Sequence, residues 1–181
     1  MAIPSNWCIP LGNSKKALSI REIALFGVLG ALTFALQVVM APLPNIEPVS
    51  LLVMIFAAVF GWKCLYPVYI FVTMEILFYG ISVWNLYYLY VWTVLALGAI
   101  LMRRQKQTLA WAMLSGVFGL FFGALCGIVD IFIGGFAYAG AKWVSGIPFD
   151  LLHCGGNFFI ALIMFSPLRN LMEKLYNRMK R

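Results

Sequence analysis

The chain reads as long apolar stretches cut by short polar ones. Six apolar segments stand out: Ile20 to Met40, Pro48 to Phe60, Leu65 to Gly80, Leu86 to Met102, Leu109 to Phe136 and Ile147 to Leu168. None alternates apolar and polar residues with the period of two that a half-wet strand requires, so each is predicted to be a helix. The sharpest break is Ala41-Pro-Leu-Pro-Asn-Ile-Glu-Pro-Val-Ser50. Its three prolines each remove a backbone donor and oppose helix through the preceding residue. Pro48 itself suits the first turn of the helix that follows. The second segment is short and is predicted to tilt or to borrow flanking residues.

Composition decides what surrounds these helices. Only 10% of the 181 residues are charged and 64% are hydrophobic. A soluble domain carries roughly 25% charged residues. So little charge cannot cover a water-facing surface, and the expected solvent is lipid. The expected fold class is therefore an all-α membrane protein: a compact bundle of six transmembrane helices in a single domain, residues 1–181, with both termini cytoplasmic. Residues 1–18 form a cytoplasmic N-terminal segment and residues 169–181 a basic cytoplasmic tail. Val39-Met-Ala41 mimics a signal-peptide cleavage site, but the first apolar run is longer than a signal core and is read as a retained helix.

Charge then gives an orientation. With the N-terminus inside, every Lys and Arg except Lys142 falls on the inner side, as the positive-inside rule requires. The net charge of +7 is thereby read as topology and headgroup contact, not nucleic-acid binding. Loops 41–47, 81–85 and 137–146 face out. The expected location is a cell membrane, multi-pass, in a bacterial plasma membrane.

The acids follow a different rule. Glu22 and Glu173 lie among basic residues at the inner ends. Glu47, Glu75, Asp130 and Asp150, from four different segments, are all predicted at the outer side. Ionisable groups in membrane segments are costly and usually face a cavity, a partner or water. Asp150, His153 and Asn157 fall at i, i+3 and i+7 on one helix face. Asn85, Tyr88 and Trp92 have the same spacing, with Trp84 and Tyr87 beside them. Polar groups backed by aromatics suit an amphipathic organic ligand. The candidate binding residues are Asn45, Glu47, Glu75, Trp84, Asn85, Tyr88, Asp130, Asp150, His153 and Asn157. For any single acid, a structural hydrogen bond or a helix cap is an equal alternative, and an interfacial belt accounts for Tyr87 or Tyr90 as well as binding does.

His153 is the sole histidine, and no Cys or His at ligand spacing joins it, so no metal site is expected. The four cysteines lack CxxC spacing and read as small buried hydrophobes. Ser115, Gly119, Gly123 and Gly127 form a small-residue stripe read as internal packing. Gly27, Ala31 and Ala35 form another, which serves either packing or a membrane partner. No GxxxxGK[ST], HExxH or nucleophile–base pair is present, so an enzyme is not expected and the chain has no cofactor of its own.

Taken together, the chain resembles the S component, the substrate-binding membrane subunit, of energy-coupling-factor (ECF) vitamin transporters. The resemblance rests on length, six segments with both ends inside, and Ala31-Leu-Thr-Phe-Ala35, which matches the family's AxxxA signature. Pro-Asn-Ile-Glu-Pro-Val-Ser after the first segment and Trp84-Asn85-Leu86-Tyr87-Tyr88 at the start of the fourth most resemble the cobalamin-specific branch. The resemblance implies a substrate-binding subunit of an ABC-type importer that captures a vitamin, cobalamin on this branch, at the outer face. It implies docking through Gly27, Ala31 and Ala35 on an ECF transmembrane coupling subunit, with ATP used by two ATPase partner subunits. Four carboxyls beside one cation disfavour a polyanionic ligand and suit cobalamin's carboxamide rim. They suit another neutral or cationic vitamin or a nucleobase-like precursor equally. Gly134, Gly135, Gly140 and Gly146 are expected to let the last outer loop move aside for a bulky ligand. The competing class is a stand-alone proton- or cation-coupled transporter.

Overall fold

A computed structural model describes residues 18–42 and 47–181; Asn45 lies outside these residues. Helices α1 (Ile20–Met40), α2 (Val49–Phe60), α3 (Leu65–Tyr79), α4 (Val83–Leu101), α5 (Thr108–Leu120) and α6 (Phe122–Lys180) carry the fold, with a 3-10 turn at Gly61–Cys64. No strand occurs among the described residues. Four continuous helical stretches are long and apolar enough to cross a membrane: Ile20–Met40, Val49–Tyr79, Val83–Leu101 and Thr108–Lys180. The outer surface is rich in bare Leu77, Phe132, Phe136 and Ile163. Such a surface is consistent with a protein solvated by lipid.

Two of those stretches fold back on themselves, and both do so at a glycine. Gly61 follows α2 at φ 59°, and Gly135 interrupts α6 at φ 79° and ψ 179°. A Cβ disfavours such positive φ values, so glycine is the natural occupant. Contacts trace the reversals. Phe60 at the end of α2 and Tyr66 at the start of α3 both pack on Phe26 of α1. The far end of α3, at Phe78 and Tyr79, meets Phe34 further along α1. Thus α1 and α3 run the same way and α2 runs against them. Within α6, the limb 122–134 reverses into the limb 136–180, which descends along α5. Trp111 stacks on Phe165, and Thr108 bonds Ser166 at 2.5 Å.

This differs from the expected loop at 137–146. Those residues are helical, and the reversal is confined to Gly135. The predicted break between the fifth and sixth segments thus lies earlier and is tighter. A further interruption at Phe121 separates α5 from α6.

Small residues set the α5–α6 distance. A Cβ on Gly119 would sit 2.8 Å from the His153 carbonyl, and one on Gly116 would sit 3.3 Å from Phe158. These glycines let two helix backbones approach closely, which is how helices gain packing energy in lipid. Ser115, Gly119 and Gly123 of the predicted stripe face this contact, whereas Gly127 has open space. On α1 a different glycine is used inside the bundle. Gly30 meets Pro67 and Ile70 of α3, while Gly27 has nothing within 4 Å, Ala31 is half-buried and Ala35 is exposed.

The two ends of the bundle differ in charge. At one end the buried Glu22 carboxylate accepts from Lys63 at 2.6 Å and from the Tyr176 hydroxyl at 2.7 Å. Arg21 donates to the Met179 carbonyl, and Arg169 pairs with Glu173. At the other end lie Glu47, Glu75, Asp130 and Asp150.

Candidate functional site

The acidic end is built around helix termini and the Gly135 reversal. Because α6 turns back there, Asp130 on the first limb faces Lys142 on the second, and the two pair at 2.7 Å. Tyr87 of α4 completes the group. Its hydroxyl donates to Asp130 and accepts from Lys142 at 2.8 Å. Tyr87 is 1% exposed and Asp130 2% exposed, so this is an internal charge pair rather than surface decoration. A buried carboxylate is tolerable only when so compensated.

Asp150 is held differently. The interruption at Phe121 leaves the first amides of α6 without carbonyls one turn back. The Gly123 amide donates instead to Asp150 Oδ1 at 3.0 Å. The positive end of the helix dipole favours the carboxylate there. Oδ2 is buried and has no partner among the described residues. Glycine at 123 is a steric requirement, because a Cβ would lie 2.6 Å from Oδ2.

Between these two groups lies a cleft of about 510 Å³. Trp84, Tyr87, Phe122, Trp143 and Phe149 supply its aromatic walls, and Asp130, Lys142 and Asp150 its polar groups. Small-molecule sites of roughly 300–1,000 Å³ have this chemistry, apolar walls with few placed polar groups. The Asp130 charge is already met by Lys142, so the free acceptor in the cleft is Asp150 Oδ2.

A second polar group lies beside the cleft. His153 Nε2 approaches Glu47 Oε1 at 3.2 Å, outside hydrogen-bond alignment, and its ring packs on Phe122 at 5.0 Å. Glu75 is buried within coulombic range of Glu47, and its Oε1 is unpartnered. The Tyr88 hydroxyl accepts from Gln37 at 3.1 Å.

The sequence candidates therefore separate. Trp84, Asp130 and Asp150 line the cleft. Glu47, Glu75, Tyr88 and His153 form the neighbouring group. Asn85 turns back to its own helix start, accepting from the Ser82 amide at 2.6 Å as a cap. Asn157 lies deeper and donates to Ser50 at 3.1 Å. Tyr87, Lys142, Trp143 and Gly123 belong to the cleft without having been singled out for it. Lys142 was visible as the one cation on the acidic side, and Tyr87 as a neighbour of Trp84. Nothing marked Gly123, because its role is an amide and not a side chain.

One consequence is testable. Gly123→Ala will push the Asp150 carboxylate out of place while the helices stay assembled. Cobalamin affinity is expected to fall about tenfold, the loss of one hydrogen bond to a charged group, with a nearly unchanged melting temperature. Unchanged binding would separate Asp150 from the ligand.

The chain matches no family model, and no curated protein and no solved structure proves similar to it.

Proposed function

We propose that the chain is a substrate-binding membrane subunit of the ECF type, capturing a vitamin at the acidic end of its bundle. The observation that carries this reading is the aromatic cleft with the buried, half-satisfied Asp150 carboxylate. Six crossings with both termini cytoplasmic belong to the same proposal. The alternating directions of the helices and the concentration of Lys and Arg at one end support it.

Cobalamin is the leading ligand, by resemblance. It is larger than the cleft, so only part of it would be enclosed, its carboxamide N–H groups meeting Asp150. A smaller neutral or cationic vitamin would fit whole. ATP hydrolysis and the drive for import belong to partner subunits. Equilibrium binding of a vitamin panel to the purified chain tests the reading. Saturable cobalamin binding supports it. Binding of a different vitamin would overturn the ligand assignment alone, and uptake by the isolated chain in liposomes without ATPases would favour a secondary transporter.

The docking half rests on Gly27, Ala31 and Ala35, which no other part of the chain covers closely. Ala31→Leu with Ala35→Leu is expected to abolish co-purification of the coupling subunit and to leave ligand affinity within about twofold, since these residues lie far from the cleft in the contact pattern and distant sites act nearly independently. Undiminished co-purification would contradict this role.

A further inference from the structure

A second cavity, of about 600 Å³, opens at the basic end. Ala58 and Val59 of α2 and the Tyr176 ring provide its apolar part, and Arg103, Arg104, Arg169 and Lys180 its rim. Two of these cations are held in place by the fold. Arg169 donates to Glu173 at 2.8 Å and to the Gln105 carbonyl at 3.1 Å, and Lys180 lies 4.0 Å over the Tyr176 ring. The other two are different. Neither the Arg103 nor the Arg104 guanidinium has a hydrogen-bond or ion-pair partner among the described residues. The one carboxylate in the lining, Glu173, is already taken by Arg169. Gly61 leaves room for Arg103, whose Nη1 would lie 3.3 Å from a Cβ at that position.

The cavity thus offers two free planar donor forks above an apolar floor, at the level where α2 and α4 end. A guanidinium pair matches phosphate oxygens in bidentate fashion. Basic pockets at this level of a membrane bundle meet anionic headgroups. We infer that this cavity binds a phosphate group through Arg103 and Arg104, carried either by an anionic phospholipid or by a soluble phosphate ester. The inference concerns the end opposite the cleft and does not depend on which molecule the cleft takes.

The test uses the delipidated full chain, titrated with phosphatidylglycerol, phosphatidylcholine or glycerol 3-phosphate. Native mass spectrometry counts bound lipid, and thermal unfolding reads all three. Phosphatidylglycerol is expected to bind saturably with one tight equivalent and to raise the melting temperature. Arg103→Gln with Arg104→Gln should weaken that binding at least about tenfold, near 1 kcal/mol being usual per basic contact with an anionic surface. Arg103→Lys with Arg104→Lys should lose less, because charge is kept and the fork is not. Lys106→Gln with Lys174→Gln, at the same end but outside the cavity, should change little. If glycerol 3-phosphate alone reproduces the stabilisation with the same dependence on Arg103 and Arg104, the phosphate site stands and its source is soluble. Equal binding of phosphatidylcholine, equal loss in the Lys106/Lys174 variant, or full binding by the double Gln variant would each overturn the inference.

Discussion

Gly119→Leu is expected to prevent the chain from accumulating as a folded monomer. The added Cβ alone would lie 2.8 Å from the His153 carbonyl carbon and oxygen and 2.9 Å from the Cys154 amide nitrogen. These are backbone atoms of a neighbouring helix, so no rotamer change relieves the clash. The helices must separate, and separation removes contacts along the whole α5–α6 interface. Overpacking ordinarily costs about 1–3 kcal/mol, and this case falls at or above the upper end because backbone must move. The measurement is monodispersity by size exclusion in mild detergent, together with the melting temperature. Gly127→Ala is the internal comparison. It belongs to the same four-residue stripe, yet nothing lies within 4 Å of its Cβ. It should be neutral. If Gly119→Leu matched Gly127→Ala in stability, the packing account of this interface would fail.

Glu22→Ala is expected to be the most damaging change at the basic end. Glu22 is 6% exposed and joins three separate stretches of chain. It caps the start of α1 by accepting from the Ser19 amide at 3.1 Å, and it receives Lys63 from the 3-10 turn and Tyr176 from the last turns of α6. Hydrogen bonds involving a charged group contribute about 1.5–3 kcal/mol each. The Lys63 side chain is 35% exposed and can recover water, which discounts its share. A net loss of about 2–4 kcal/mol follows from those bonds, read as a lower melting temperature. Because Tyr176 acts through Glu22, adding Tyr176→Phe to Glu22→Ala should cost much less than Tyr176→Phe alone. Additive losses would show that the two residues do not form one network.

These two residues also show what the sequence discloses and what it hides. Glu22 among basic residues is recognisable as an inner-end partner, because apolar segment length and charge placement put it there. The same logic collects Glu47, Glu75, Asp130 and Asp150 at the other end, since residues near alternate segment ends must share a level. Finer geometry was not legible. The reversal at Gly135 depends on one backbone angle, and Gly135 looks no different from Gly134, Gly140 or Gly146 in a row of letters. A polar loop was therefore expected where helix continues. Asn85 shares a face with Tyr88 and Trp92, yet its short amide reaches its own helix start first. Tyr87 could serve an aromatic belt as readily as an internal network. Its place was decided by Lys142 and Asp130, which the Gly135 reversal brings together. Asp150 was visible as a carboxylate in a first helical turn. The break at Phe121 that supplies its amide donor lies inside an unbroken apolar run and leaves no mark in hydropathy.

The acidic cleft as a ligand site is the claim on which the functional account turns. Its most direct test is cobalamin binding to the purified full chain by isothermal titration, with wild type and Asp150→Ala side by side. Saturable binding by the wild type, weakened at least about tenfold in Asp150→Ala, is the predicted result, as expected for a charged hydrogen bond lost from a mostly apolar site. Equal affinity in the two proteins would contradict the account.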